Sequence, residues 1–133
     1  MPQSTTSPRS GRPWQTPRMS DMTTAEVRAE LDAWLEENWD PDLTVADWWK
    51  RLYEARWTSP AMPVEAGGRG YDRSLTAEVS TGLAEANVVG PPTGLGLMLA
   101  APTIAVHGTP EQVDRYIPEI LDGTAAWCQL FSE

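Results

Sequence analysis

The side chains able to do chemistry are few in this chain and stand apart from one another. His107 is the one histidine and Cys128 the one cysteine among 133 residues, so no imidazole pair, disulfide or cysteine metal cluster can form within it. With no second histidine and no cysteine near it, His107 reads as a helix-end residue beside the last carbonyls of its helix. The lone Cys128 fits a reducing compartment, with the cytoplasm as the default location. The 19 Asp and Glu residues fall in caps, on helix faces or in loops, where carboxylates are solvated. None of them is a candidate catalytic residue, and Glu133 is not read as a base. Gly67-Gly68-Arg69-Gly70 could suggest a phosphate cradle, yet it lacks the Gly-Lys-Ser or Gly-Lys-Thr ending and follows no strand pattern. Ser132, on composition alone, is a polar residue at a strand end.

Composition narrows the partners further. Ten Lys and Arg against 19 Asp and Glu leave a formal charge of −9, which opposes binding to a phosphate backbone and so argues against nucleic acid. The apolar stretches are broken by Gly and Pro before they reach the roughly 20 residues that cross a bilayer. Residues 1–21 are polar and carry Pro2, Pro8, Pro13 and Pro17; they lack the apolar centre of a secretion signal, and the prolines oppose an amphipathic helix. They are expected to form a disordered tail, and Met22 is an alternative first residue. The length suits one domain with a single helical core.

The remaining sequence predicts helices. Thr23-Thr24-Ala25-Glu26 has capping-box spacing, and Val27, Leu31, Trp34 and Leu35 then recur at intervals of three and four, so a helix should run to about residue 38. Asp40-Pro41-Asp42 breaks it. Thr44 and Asp47 repeat the capping pattern for a second helix over 45–57, with Trp48 and Leu52 on one face. Most of the seven tryptophans lie in these two helices, where packing is the expected role and a place in a ligand tunnel the alternative. A loop over 58–73 follows, rich in Pro and Gly. Ser74 can cap a third helix through about residue 87, with Leu75, Val79, Leu83 and Ala86 inward. Gly82 weakens that helix by about 1 kcal/mol relative to Ala unless a neighbour packs closely there.

After Pro91 and Pro92 comes a nearly uncharged segment, 93–107, whose composition is that of a buried helix shielded on most sides. Pro102 must end or kink it, and Gly94 and Gly96 permit close approach of a neighbour. Gly108-Thr109-Pro110-Glu111-Gln112 joins a helix terminator to an N-cap, a proline at the first helical position and Gln at the third. A short helix over 110–117 is expected, then one further turn bracketed by Pro118 and Gly123. Residues 125–131 change character and read as a first strand, although a lone strand has nothing to pair with.

Taken together, Pro63 to Tyr71 (PVEAGGRGY), Ala101 to His107 followed by Gly108-Thr109-Pro110-Glu111-Gln112, Arg115 to Gly123 (RYIPEILDG) and Trp127 to Glu133 (WCQLFSE) resemble the acyl-CoA dehydrogenase family. The resemblance covers about Met22 to the end. It implies an all-α domain of about five helices over 22–124, with one incipient β-strand over 125–133 belonging to a middle β domain that stops at its start. Members of that family are homotetramers or homodimers that bind FAD. They oxidise acyl-CoA to trans-2-enoyl-CoA, by α-proton abstraction and β-hydride transfer to the flavin, and pass electrons to an electron-transfer flavoprotein.

By this resemblance Gln129 and Phe131 would lie beside the isoalloxazine, Ser132 would hydrogen-bond it, and Leu130 would face away. Leu95, Met98 and Leu99 would shape the acyl end of the substrate cavity. The catalytic base and the rest of the flavin cleft would come from parts beyond Glu133, so the chain by itself is expected to be inactive. Two alternatives share the same helical domain: a non-catalytic module docking on a complete dehydrogenase subunit, and a relative of the acyl-CoA or nitroalkane oxidases.

Overall fold

The computed structural model describes residues 21–130. The expected all-α domain is what forms, with five α-helices among the described residues: α1 (Thr24–Asn38), α2 (Val45–Glu54), α3 (Arg73–Glu85), α4 (Ala101–His107) and α5 (Pro110–Leu121). A 3-10 turn at Val64–Ala66 and a π-helical turn at Gly96–Ala100 lie between them.

The caps explain where the helices start. Thr23 Oγ1 accepts from the Glu26 amide at 3.2 Å while the Glu26 carboxylate accepts from the Thr23 amide at 2.7 Å, so two amides left over at the start of α1 are satisfied reciprocally. Thr109 and Gln112 repeat this at α5, at 3.2 and 2.9 Å. Thr44 Oγ1 accepts from the Asp47 amide at 3.1 Å to start α2. The third helix departs from expectation: Asp72 caps it, accepting from the Leu75 amide at 2.9 Å, and Ser74 lies inside the first turn. A carboxylate also complements the helix dipole there.

α2 ends at Glu54, short of the expected residue 57, because Arg56 takes a left-handed conformation at φ 63°. The Trp57 amide then reaches back to the Leu52 carbonyl at 2.8 Å and that of Arg56 to Tyr53 at 2.9 Å, the double closure usual at glycine-terminated helices. Here arginine stands in the glycine position. Its guanidinium is tied to the carbonyls of Val64 and Gly68 at 2.7 and 3.0 Å.

One core lies between α1, α2 and α3. Val27, Leu31 and Leu35 meet Leu75, Val79 and Leu83, with Trp48, Leu52, Trp57 and Tyr71 completing the cluster. Gly82 does have a close neighbour: a Cβ there would lie 2.6 Å from Leu31 Cδ2, so the small residue sets how near α1 and α3 approach. Ala86, expected inward, is exposed at the end of α3. Across the seam Arg28 donates to Glu85 and, at 3.2 Å, to Glu78, and within α1 it donates to Asp32 at 2.9 Å. Those carboxylates, Glu85 foremost, hold its pKa above the ordinary guanidinium value. Arg69 stacks 3.4 Å above the centre of the Trp57 ring and donates to Glu30 at 2.7 Å and to the Ala55 carbonyl at 2.9 Å, which pins the glycine-rich loop to α1 and α2.

A second, smaller core joins Met62 and Ala66 to Ala101, Ile117, Ile120 and Leu121. α5 runs through Pro118 without a break, so the extra turn expected after residue 117 belongs to one helix. Proline leaves the Asp114 carbonyl without its helical partner, and Asp114 is exposed, where water can replace the bond. Pro102 likewise does not end its helix. In a regular α-helix its ring would meet the carbonyl of Met98; here the wider turn at Gly96–Ala100 comes first, closed by the Ala101 amide on the Gly96 carbonyl, and makes the room.

Two further expectations fail. The 93–107 segment is not shielded on most sides, because only its α5 side is covered: Gly96 and Ala101 are buried, while Met98 and Val106 are each 71% exposed. Residues 125–130 form no strand. No backbone hydrogen bond joins 126–130 to another described residue, and a strand without a partner has no ladder to hold it.

Candidate functional site

The exposed side of the π turn and α4 faces the segment that follows α5. Between them is a groove of about 300 Å³, with Leu95, Leu99, Ala100, Thr103 and Ile104 on one wall and Trp127, Cys128 and Gln129 on the other. The π turn is what brings this wall into register, since its i to i+5 hydrogen bonding widens the winding and sets Leu95 beside Leu99 and Ala100 before α4 resumes ordinary winding. Thr103 Oγ1 donates to the Leu99 carbonyl at 2.6 Å, which occupies its hydroxyl and leaves the lining largely apolar.

The opposite wall is set by the chain reversal after α5. Gly123 adopts φ 79°, open to glycine and disfavoured elsewhere. Thr124 then bonds back to Asp122, through its amide at 2.9 Å and its hydroxyl at 2.6 Å, and the Ala125 amide reaches the Glu119 carbonyl at 2.9 Å. Trp127 lands edge-on to Tyr116, 5.8 Å between ring centres at 86°. Of the two glycines expected to permit close approach, Gly96 does so: a Cβ there would lie 3.3 Å from Ile120 Cγ2 and 3.4 Å from Trp127 Cβ. Gly94, at φ 124°, has nothing within 4 Å.

Leu95 and Leu99, 38% and 52% exposed, line the groove; Met98 is on the same run but does not line it. Gln129 borders it. Phe131 and Ser132 lie outside the described residues. Trp127, Thr103 and Ile104 were missed as lining residues, and no local signal could have found Trp127, whose place depends on a turn four residues earlier.

No carboxylate lines the groove. What it can do is bind: it offers mainly apolar contact, with the polar amide of Gln129 at one edge. His107 sits in the last turn of α4, exposed. Among the described residues no three His, Cys, Asp or Glu side chains come together as a metal cage, and no helix is long and apolar enough to cross a membrane.

Comparison with known proteins bears on this geometry. Residues 17–124 match the family description "Acyl-CoA dehydrogenase, N-terminal domain". The chain is 34% identical over 125 residues to acyl-CoA dehydrogenase IpdE1 of Mycolicibacterium smegmatis, covering 81% of this chain and 32% of that protein. It is 30% identical over 125 residues to IpdE1 of Mycobacterium tuberculosis, with the same coverage. To acyl-CoA dehydrogenase FadE34 of Mycobacterium tuberculosis it is 46% identical over 66 residues, covering 50% of this chain and 9% of that protein. The chain thus spans a third or less of the length of these relatives. No solved structure matches.

Proposed function

Because the chain belongs to the acyl-CoA dehydrogenase family, whose amino-terminal helical domain it forms, we propose that it supplies one wall of the acyl cavity in an assembled flavoenzyme oxidising acyl-CoA to trans-2-enoyl-CoA. The observation that carries this reading is the half-covered apolar face along the π turn and α4. A domain complete in itself would bury Leu95, Met98 and Leu99 or replace them with polar residues. Leu95 and Leu99 would contact the acyl chain and exclude water from it, and Met98 would pack at the same end against another domain.

The residues fit the edge of a flavin as well. The groove is apolar and open, Gln129 is exposed beside it, and 126–130 has backbone groups free of other described partners, able to join an added sheet. We assign Gln129, with Phe131 and Ser132, to holding FAD, which when bound provides the hydride acceptor that side chains cannot. The base that takes the α-proton would come from another part of the assembled enzyme, as no carboxylate lines this wall. Acyl-CoA as substrate, an electron-transfer flavoprotein as electron acceptor, a homo-oligomeric assembly and a cytoplasmic location belong to the same proposal. The exposed thiol of Cys128 is in keeping with a reducing compartment.

The test is a chimera in which residues 21–130 replace the matched segment of the Mycolicibacterium smegmatis relative. It should purify with flavin absorbance and bleach on adding acyl-CoA. Leu99→Trp, which fills the groove, should raise KM on the order of tenfold for bulky acyl groups and less for short ones. A folded, flavin-loaded chimera whose KM ignores Leu99→Trp for every acyl length would overturn the assignment of the wall. Retention of this chain by a separate complete dehydrogenase subunit, without turnover dependent on Leu99, would favour the docking module instead.

A further inference from the structure

The two walls of the groove come from segments apart in sequence, 95–104 and 127–129, and one side chain of α2 touches the stretch of chain that leads into each. Trp49 Nε1 donates to the Gly90 carbonyl at 2.8 Å. Its six-membered ring lies so close to Gly123 that a Cβ there would fall 2.3 Å from Trp49 Cε3. The indole is thus fixed at its polar edge to the segment entering the π turn, and at its apolar edge to the turn that launches Trp127. A small cavity of about 150 Å³ has Trp49, Gly96, Gly123 and Trp127 along its lining, and at its far side Gly96 and Trp127 approach directly.

The neighbouring residue divides the labour. Trp48 Nε1 reaches the Val89 carbonyl at 2.6 Å, but Trp48 is buried in the core of α1, α2 and α3 and fixes the connector to that core alone. Trp49 is half-buried and packs against it from outside. It alone of the pair also meets the reversal at Gly123.

We propose that Trp49 is a positioning residue for the groove, a clasp that sets the spacing between the Leu95–Leu99 wall and the Trp127–Gln129 wall. This rests on the acyl-wall reading only for what the groove holds, and the spacing can be read without any ligand. Its chemistry requires both functions of indole. The N–H fixes one segment, and the flat face fits a position where the opposing residue has no side chain.

The experiment is NMR on the 133-residue chain with Trp49→Phe, which keeps a ring and removes the donor. In the wild type, nuclear Overhauser contacts should join Trp127 to Gly96 and to the Leu99 methyls. In the variant those contacts should be lost, with amide shifts concentrated in 90–96 and 123–127, while contacts among Val27, Leu31 and Val79 stay intact and the melting transition stays cooperative. A merely structural tryptophan would perturb the α1, α2 and α3 core together with the groove. Should Trp49→Phe fail to fold, Gly123→Ala displaces the same ring from the opposite segment and carries the same expectation. Trp127 contacts that persist in the folded variant would overturn the proposal. In the chimera, loss of the contacts with an unchanged KM at every acyl length would uphold the clasp and sink the acyl-wall reading.

Discussion

Along the α1–α3 seam Val27 and Leu31 are 0% exposed and Val79 and Leu83 no more than 5%, whereas along the π turn and α4 Met98 and Val106 are each 71% exposed. Both regions are rich in the same kinds of apolar residue. What separates them is covering. In the first, three helices close on one another; in the second, α5 covers one side and nothing described covers the other. Hydrophobic composition states that a face wants a partner and does not say whether the partner lies in the same chain. The chain belongs to the acyl-CoA dehydrogenase family and spans about a third of the length of its IpdE1 relatives.

The largest expected effect sharpens that difference directly. Trp48→Ala opens a cavity beside Trp34 and Trp39, whose ring centres lie 5.5 and 4.8 Å away. It should cost about 3–5 kcal/mol of stability, measured by urea denaturation. Met98→Ala on the open face should stay within about 0.5 kcal/mol of wild type. Comparable losses from the two substitutions would mean that the second face is covered after all. One step down is Gly82→Ala. Helix propensity favours it by about 1 kcal/mol, but Leu31, against which the new methyl would press, is 0% exposed and has no free volume to move into. Overpacking of about 1–3 kcal/mol should prevail, so the melting temperature should fall.

Much of the helical framework was legible in the sequence. The capping pairs at Thr23, Thr44 and Thr109 are local events, in which a side chain satisfies an amide three residues away, and they formed where expected. The buried stripe of α1 follows from spacing alone. Reading failed where the deciding contact was distant. Arg56 ends α2 in a conformation usual for glycine because two carbonyls near residues 64 and 68 hold its guanidinium. Pro118 stays helical because its cost falls on an exposed carbonyl. Residues 125–130 have strand-like composition and no strand, since pairing is a property of two segments. At the groove, Leu95, Leu99 and Gln129 were singled out by family resemblance and prove to border it, but Trp127 and the contacts of Trp49 needed the fold.

The caps allow a finer comparison. Thr23→Ala and Thr109→Ala each remove one side-chain acceptor from a helix start and should each cost about 1 kcal/mol. If α4 and α5 form part of the same cooperative unit as α1, both losses will register in global unfolding. If the open half frays first, Thr109→Ala will instead speed amide hydrogen exchange in α5 and leave the global transition almost unmoved.

The smallest effect separates the two caps by chemistry, because the box at α1 closes with a carboxylate and the box at α5 with an amide. The backbone hydrogen bond from Thr23, followed by the one from its hydroxyl, lowers the Glu26 pKa below its ordinary value. A carboxylate depressed in the folded state contributes stability that is complete above its unfolded pKa and is lost as the pH falls through the folded one. The α1 cap should therefore weaken on acidification, and the stability difference between wild type and Glu26→Gln should shrink from neutral pH toward the acid side of the carboxylate range. Gln112 does not titrate, so the α5 cap should hold its strength over the same interval. Gln112→Glu should transfer the acid sensitivity to α5, with added stability near neutral pH from a negative charge at the helix start. Both effects should diminish with added salt, since these groups face solvent. Paired urea titrations of the two variants across that pH range test this, and an acid-sensitive difference for Glu26→Gln that grows as the pH falls would show that the cap does not act through the ionised carboxylate.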